Sequence, residues 1–588
     1  MLTINLCPHI NYQWEKLNRY IPIGLLSLAA VAENDGHQVE IKDINYTFKY
    51  YRALDDIAKV ADYLVDNKPD LLGFSTICNC YPTILRLAGL CKKKLPGLFI
   101  VLGGPQASVT ALQTMRHFDA IDGILTGEGE IAFPSLLETL GNGKNWDSVY
   151  NLVWRSTSGI VENKKAPLIK NLDELPMPAY HLNPFSITEN KRIPIESGRG
   201  CPYHCVYCST SRYWGGRFRM KSVKRLLSEI RHLTDKYKIK RVEFVQDNMT
   251  SSPKFFRQFC HSLKESGLGI EWGCSARIDV VNTQLAGEMA DSGCIEIFYG
   301  IESGSEKVQG SIQKQMDYSV VLPNAESTGK HGIRFTASFI TGFPEENLSD
   351  LKQTLQLIFR LRYASGKRNF THLHLLSPLP GTPIQKRYKE LLYFDGQPSD
   401  IALSLPNGEE KALIAQYPDI FSAFYTIPVP ALSKIFLQKV YLVINFSSEF
   451  PYTMFVLWKQ EKDRLIELIL EELDNLPIAD INFYAEGYLE TLKHIYDFLK
   501  ISLLPKIDER ELLADMMFYE LCTKLVDKEG RLIESFSFDI EQILADIDRE
   551  MVTFPIKCQP HPTAYLFVYE NQKVQTIKLA EGLAQLLA

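Results

Sequence analysis

Over residues 1–145 the chain alternates short apolar runs with longer stretches whose apolar residues recur at helical spacing. Residues 2–6, 39–41, 71–75, 98–102 and 123–125 read as strands, and residues 22–32 as a helix running to a stop at Gly36. Strands separated by helices predict a parallel, doubly wound α/β sheet. Ligands of such sheets bind beyond the carboxyl ends of the strands, here the loops Cys78-Asn79-Cys80, Gly103 to Ser108 and Thr126 to Glu130. Residues 146–193 read as a linker with a hairpin (152–154 and 159–161) and a rigid Leu175-Pro176-Met177-Pro178 stretch. From 194 to 390 the strand–helix alternation returns, with strands at 193–197, 241–245, 270–275, 295–300, 334–341 and 372–376. The remainder, 391–588, carries helical spacing at 432–442, 462–475, 487–499 and 509–525. Alternation at 563–569 and 574–579 then predicts a hairpin before a last helix, so this extension reads as mostly helical with an α+β end.

The chemistry lies just after the first strand of the second set. Gly198-Arg199-Gly200-Cys201-Pro202-Tyr203-His204-Cys205-Val206-Tyr207-Cys208 places three cysteines at CxxxCxxC spacing. Three thiolates hold three irons of a [4Fe–4S] cube and leave the fourth iron open to a chelating substrate. Structural zinc is the competing reading, but it wants four ligands, usually as two pairs. No CxxC partner pair occurs elsewhere, and His204 would crowd Cys205. At 45% apolar and 23% charged residues, with a net charge of −6, the 588-residue composition is that of a soluble globular protein. Its bulk charge gives no reason to expect a nucleic-acid partner. No signal peptide and no apolar run of about 18 residues is visible, so no membrane span is expected. An exposed cluster suits a reducing compartment, so a cytoplasmic location is expected.

The cysteine run resembles the signature of radical S-adenosylmethionine (SAM) enzymes. The resemblance implies that the amino and carboxylate groups of SAM chelate the open iron. One electron then splits SAM to methionine and a 5′-deoxyadenosyl radical. It also implies a partial (β/α)6 TIM-type barrel over 194–390, with Cys201, Cys205 and Cys208 on the cluster and Tyr207 beside the adenine. Later strand ends supply Asp247, Arg277, Glu302 and Ser303 as expected SAM contacts. A planar, always charged guanidinium suits the SAM carboxylate.

Residues 1–145 contain neither GxGxxG after the first strand nor GxxxxGK[ST]. In order they show Pro22-Ile23-Gly24-Leu25-Leu26, Gly36-His37-Gln38-Val39, Gly73-Phe74-Ser75, Leu102-Gly103-Gly104-Pro105 and Gly127-Glu128-Gly129-Glu130. This series resembles the Rossmann-like cobalamin-binding domain of B12-dependent radical SAM enzymes. It implies cobalamin contacts from Ser75, Gly103, Gly104, Pro105, Gly127, Glu128, Gly129 and Glu130. The DxHxxG cobalt-ligating motif is absent. The stretch from Arg212 to Arg219 is basic and aromatic and reads as packing for the cluster loop. His372 and His374 alternate on a strand and read as facing the barrel interior, as core histidines by default or as a substrate acid/base. The resemblance as a whole implies methylcobalamin-mediated C-methylation of an unactivated carbon. The alternative is a non-methylating cyclisation, rearrangement or ring contraction on the same architecture, and a non-catalytic sensor is a third reading. Implied partners are a small-molecule or peptide substrate and an electron donor such as flavodoxin or ferredoxin.

Overall fold

The structure is a computed structural model. It describes residues 1–8, 21–48, 56–143, 145–183, 192–366, 369–401, 403, 406–476, 487–508, 510–526, 531–549, 560–570 and 573–579. Two compact units are present: residues 1–300, 309–335 and 376–428 form the first, and 301–308, 336–375 and 429–588 the second.

The first unit opens with strands β1 (Thr3–Cys7), β2 (Gln38–Ile41), β3 (Leu71–Ser75), β4 (Phe99–Gly103) and β5 (Gly123–Leu125). They run parallel in the order β2-β1-β3-β4-β5. Leu71, Leu72, Gly73 and Phe74 of β3 are all buried, as expected of a strand covered on both faces. The sheet does not end at β5. The hairpin β6 (Leu152–Ser156) and β7 (Gly159–Glu162), which the sequence places in a linker, pairs antiparallel onto β5 and completes seven strands. A local pattern identifies a hairpin but not the strand its free edge will meet.

Next come β8 (Ile193–Glu196), the short pair β9 (Gly198–Arg199) and β10 (Arg219–Met220), then β11 (Arg241–Val245), β12 (Glu271–Ala276) and β13 (Cys294–Glu302). β11 lies between β8 and β12, β12 pairs with β13, and all four run parallel. Trp272 of β12 is fully buried against Phe244, Phe256 and Phe259, with ring centroids 5.7, 6.1 and 5.8 Å away. These edge-on contacts anchor the helix Pro253–Glu265 to the strands.

The segment 391–428, read from the sequence as the start of a C-terminal extension, belongs to this first unit. Ile414, Ile420, Phe421 and Phe424 share a core with Tyr81 and Ile84 of the helix Tyr81–Lys94. Gln106 Nε2 donates to the Ile420 carbonyl at 2.7 Å, and Thr83 donates to Glu410 at 2.6 Å.

In the second unit β14 (Arg334–Thr341) pairs in parallel with β15 (Phe370–Leu375). The intervening helix Leu348–Arg362 starts at a reciprocal Asn347/Asp350 capping box. Buried Arg362 donates to Thr371, Ser447 and the Ile444 carbonyl, each at 2.9 Å. Asn445 pairs its amide with the Leu373 backbone at 2.9 and 2.8 Å. A helix thus covers polar backbone that would otherwise invite a further strand. The last sheet has three antiparallel strands, β16 (Arg531–Phe536), β17 (Thr563–Glu570) and β18 (Lys573–Lys578). The sequence reading anticipated β17 and β18 only, and its final helix lies outside the described residues. No described helix is long and apolar enough to cross a membrane.

Candidate functional site

β9 and β10 pair antiparallel, Arg199 opposite Arg219 and Gly198 opposite Met220, and pinch residues 200–218 into a loop. All three motif cysteines sit on it. Gly200 closes its neck with φ 86°, and a Cβ there would fall 1.9 Å from the Arg217 carbonyl oxygen, so only glycine fits. Val206 anchors the tip: its N–H donates to Ile312 O at 3.0 Å and its carbonyl accepts from Ile384 N at 3.1 Å. Cys201, Cys205 and Cys208 are each half-buried, and none is in a disulfide. Burial pushes the Cys201 thiol up, and the charges of Cys208, Asp247 and Cys205 add to this, so the three sulfurs share one electrostatic neighbourhood. Among the described residues no three His, Cys, Asp or Glu side chains converge on a point that one metal ion could fill. The donor set, three thiols on one accessible loop, fits a cluster with an open iron.

The expected SAM residues divide between the units. In the first, Asp247 accepts from Thr210 Oγ1 at 2.9 Å, and Gln246 accepts from Ser197 Oγ at 2.9 Å. Arg277 is buried at the end of β12 and heavily bonded. Its fork takes Asp279 at 3.0 and 2.7 Å and the carbonyls of Lys314 and Gln315, each at 2.9 Å. Its guanidinium also lies 4.0 Å from the centre of the Tyr203 ring on the cluster loop. The bound segment is shaped for the purpose: Gln313 and Gln315 both hold left-handed backbone, φ 57° and 50°. Buried Lys314 between them donates to the Tyr207 hydroxyl at 3.5 Å. In the second unit, Glu302 is buried at the end of β13 with φ 71°, a conformation that costs on the order of 1–3 kcal/mol and gathers at working sites. Ser303 is fully buried and bonds Thr354 Oγ1 at 3.0 Å.

The expected cobalamin residues lie at the carboxyl ends of β3, β4 and β5. Ser75, Gly103 and Gly104 are half-buried and Pro105 exposed, so this shelf is accessible. Gly104, at φ 95°, presses on Thr76: a Cβ would lie 2.7 Å from its carbonyl oxygen. Gly129 is packed, its Cβ position 2.8 Å from Leu28. Gly127, at φ 71°, is different: among the described residues no heavy atom beyond its two chain neighbours lies within 4 Å of where its Cβ would sit. An open cradle beside small residues fits a flat macrocycle.

Glu128 and Glu130 of the same loop turn elsewhere. Arg199 Nη1 reaches Glu128 at 2.9 Å, its Nη2 reaches Glu130 at 2.5 Å, and its Nε reaches Glu196 at 2.9 Å. Arg219 Nη1 donates to both Glu128 oxygens, at 2.8 and 3.0 Å, and to Ile169 O at 2.6 Å. Burial alone would raise the Glu130 carboxyl, but the charge and hydrogen bonds of Arg199 outweigh it and hold the group below its ordinary value. Trp214 lies under both guanidiniums, at 5.6 and 5.8 Å, and the Tyr213 hydroxyl donates to Gly127 O at 3.0 Å. The basic, aromatic stretch after the cysteines therefore packs on the loop that follows β5. The sequence reading placed Arg199 and Tyr203 in the cysteine run and Arg219 in the stretch after it, with no sign of their partners, and it did not reach Lys314. His372 and His374 share one face of β15, ring centroids 6.3 Å apart, opposite the face that bonds Arg362.

A loop of three thiols at the mouth of parallel strands defines a radical SAM site, and comparison with known proteins agrees. Residues 195–358 match the family model of the radical SAM superfamily, and residues 17–137 that of the B12 binding domain. An uncharacterised methyltransferase of Pyrococcus horikoshii is 30% identical over 367 residues, covering 61% of this chain and 77% of the relative. An anaerobic magnesium-protoporphyrin IX monomethyl ester cyclase of Synechocystis is 26% identical over 346 residues, 58% of this chain and 68% of the relative. The structure of OxsB, a cobalamin-dependent SAM radical enzyme with aqua-cobalamin and SAM bound, superposes with a TM-score of 0.62 at 16% identity. That superposition covers 94% of this chain and 82% of OxsB, and it shows the shared fold: a Rossmann-like domain followed by a TIM-type partial barrel. The chain belongs to the cobalamin-dependent radical SAM enzymes. Its cofactors are a [4Fe–4S] cluster, SAM and cobalamin.

Proposed function

We propose that this enzyme methylates an unactivated carbon of a small-molecule or peptide substrate. One observation carries the reading: the cysteine loop and the open Gly127 loop are bonded to each other within one compact unit, through Tyr213, Arg199 and Arg219. The relative that is itself a methyltransferase supports it. When bound, the cluster with SAM supplies a hydrogen-abstracting radical and the corrin supplies a methyl group. The chain supplies placement. Cys201, Cys205 and Cys208 hold the cluster and leave one iron open. Tyr207, steadied by Lys314, flanks the adenine, and Asp247 and Arg277 border SAM. Ser75, Gly103, Gly104, Pro105, Gly127 and Gly129 form the shelf for the corrin and its tail, and Glu128 and Glu130 hold that shelf through Arg199 and Arg219. An electron comes from a flavodoxin or ferredoxin, in a reducing cytoplasm.

A second reading, radical chemistry without methyl transfer, is favoured by the similarity to the cyclase. Anaerobic reconstitution with iron, sulfide and hydroxocobalamin tests both. Retained corrin with both S-adenosylhomocysteine and 5′-deoxyadenosine as products supports methyl transfer. 5′-Deoxyadenosine without S-adenosylhomocysteine favours the second reading, and absence of retained corrin sinks the assignment. Cys205→Ala is expected to abolish SAM cleavage; unchanged cleavage would refute the cluster ligands.

A further inference from the structure

The cysteine loop is bracketed by two arginines that grip the same partner. Arg199 stands two residues before Cys201, and Arg219 follows Cys208 on the paired strand. Side-chain exposure is 4% for Arg199, 11% for Arg219, 5% for Glu128 and 6% for Glu130. Besides the contacts above, Arg199 Nη1 touches the second Glu130 oxygen at 3.2 Å and its Nη2 the second Glu196 oxygen at 3.1 Å. Ser27 on the helix Ile23–Asn34 donates to Glu130 at 3.0 Å, and Ile169 N donates to Glu128 at 3.0 Å.

Burying two guanidiniums and their carboxylates is a poor way to gain stability. Desolvation offsets most of the attraction, and apolar side chains of similar volume often do as well. A forked, multiply bonded ion network instead fixes direction and register, which apolar contacts do not. The two loops it joins carry the cysteines and the Gly127 cradle. Reactions between two bound groups are steeply sensitive to their separation.

Resting on the methyl-transfer reading above, we propose that Arg199, with Glu128, Glu130, Arg219 and the Tyr213 hydroxyl on Gly127 O, is a positioning device that locks the cysteine loop to the β5 loop. The lock sets the separation between the radical-generating and methyl-donating centres. Its loss uncouples SAM cleavage from methyl transfer without emptying either cofactor site. Glu128 and Glu130 thereby act on the corrin site through the lock rather than by touching the corrin.

The test uses the full-length reconstituted enzyme with Arg199→Lys, Glu130→Gln and Tyr213→Phe. Iron and corrin per chain, the ratio of 5′-deoxyadenosine to S-adenosylhomocysteine, and hydrogen exchange at residues 198–200 and 213–219 are measured with and without hydroxocobalamin. In the wild type, hydroxocobalamin is expected to slow exchange at both segments. In Arg199→Lys and Glu130→Gln, with iron and corrin retained, the ratio is expected to rise at least about fivefold and the slowing to vanish. An unchanged ratio and intact slowing in cofactor-replete variants overturn the lock. Should both charge variants lose iron, Tyr213→Phe decides: it removes one hydroxyl bond, and wild-type values there also overturn the proposal. A wild type that makes no S-adenosylhomocysteine refutes methyl transfer instead, and the corrin-dependent exchange alone then decides for or against the lock.

Discussion

Glu346 should make the second unit lose stability as pH rises through neutrality. It lies in the turn after β14, 1% exposed. One carboxyl oxygen accepts from Thr341 Oγ1 at 2.8 Å and Gly342 N at 2.6 Å; the other is buried without a hydrogen-bond partner among the described residues. Burial pushes its pKa from 4.5 up to about 7, against the pull of those hydrogen bonds, with the Asp350 charge adding to the rise. The unfolded carboxyl ionises above 4.5 while the folded one keeps its proton to about 7. The stabilising contribution is therefore complete below 4.5, falls across the interval and is gone above about 7. At about 1.4 kcal/mol per pH unit, the interval from 4.5 to about 7 amounts to about 3.5 kcal/mol in full, of which about 3 kcal/mol falls between pH 4.5 and pH 8. Asp350 does not blur this window. Burial would raise it, but bonds from Lys307 and Ser305 hold it below its ordinary value. Glu346→Gln keeps an acceptor for Thr341 and Gly342 and removes the titration. Hydrogen exchange of peptides covering β14 and the helix Leu348–Arg362 reads the local opening energy. Comparing variant with wild type at each pH cancels the intrinsic pH dependence of exchange. The protection ratio of variant to wild type should rise roughly a hundredfold between about pH 4.5 and pH 8. A change below about threefold would mean that Glu346 is not the buried acid described here.

Gly200→Ala must move the Arg217 carbonyl 1.9 Å from its Cβ and adopt φ 86°; a loss of more than about 3 kcal/mol is expected, seen as failure to retain iron, and normal iron content would contradict the loop geometry. Arg277→Lys gives up the fork that binds Asp279 and the 314–315 carbonyls; the KM for SAM in 5′-deoxyadenosine formation should rise about tenfold at unchanged iron content, and an unchanged KM would show that the Lys314–Tyr207 arrangement is independent of Arg277.

Much of the fold was legible because its signals are local. β3, β5, β11 and β14 fall where the apolar runs predict them, each a short run between helical stretches. β16 was missed because Arg531–Phe536 alternates weakly and becomes a strand by pairing with β17. The hairpin β6–β7 was found and its partner was not, since strand pairing depends on which edge is exposed in the folded sheet. Residues 391–428 looked like the start of an extension because helical spacing says nothing about which core a helix joins.

The chain by itself determined the cluster chemistry and the order of its two α/β layers. Three thiols within eight residues form a donor set whatever lies around them, and strand–helix alternation is written in short-range periodicity. Only the tertiary structure decided what the charged residues of those motifs do. Glu128 and Glu130 stand in a loop expected at the corrin, yet they pair with an arginine 71 and 69 residues away. Arg277 stands where a SAM contact is expected, yet its fork is filled by Asp279 and by carbonyls 37 and 38 residues downstream. A buried charge is satisfied by whichever opposite charge or carbonyl the fold brings within about 3 Å, and that proximity is a property of the packed chain.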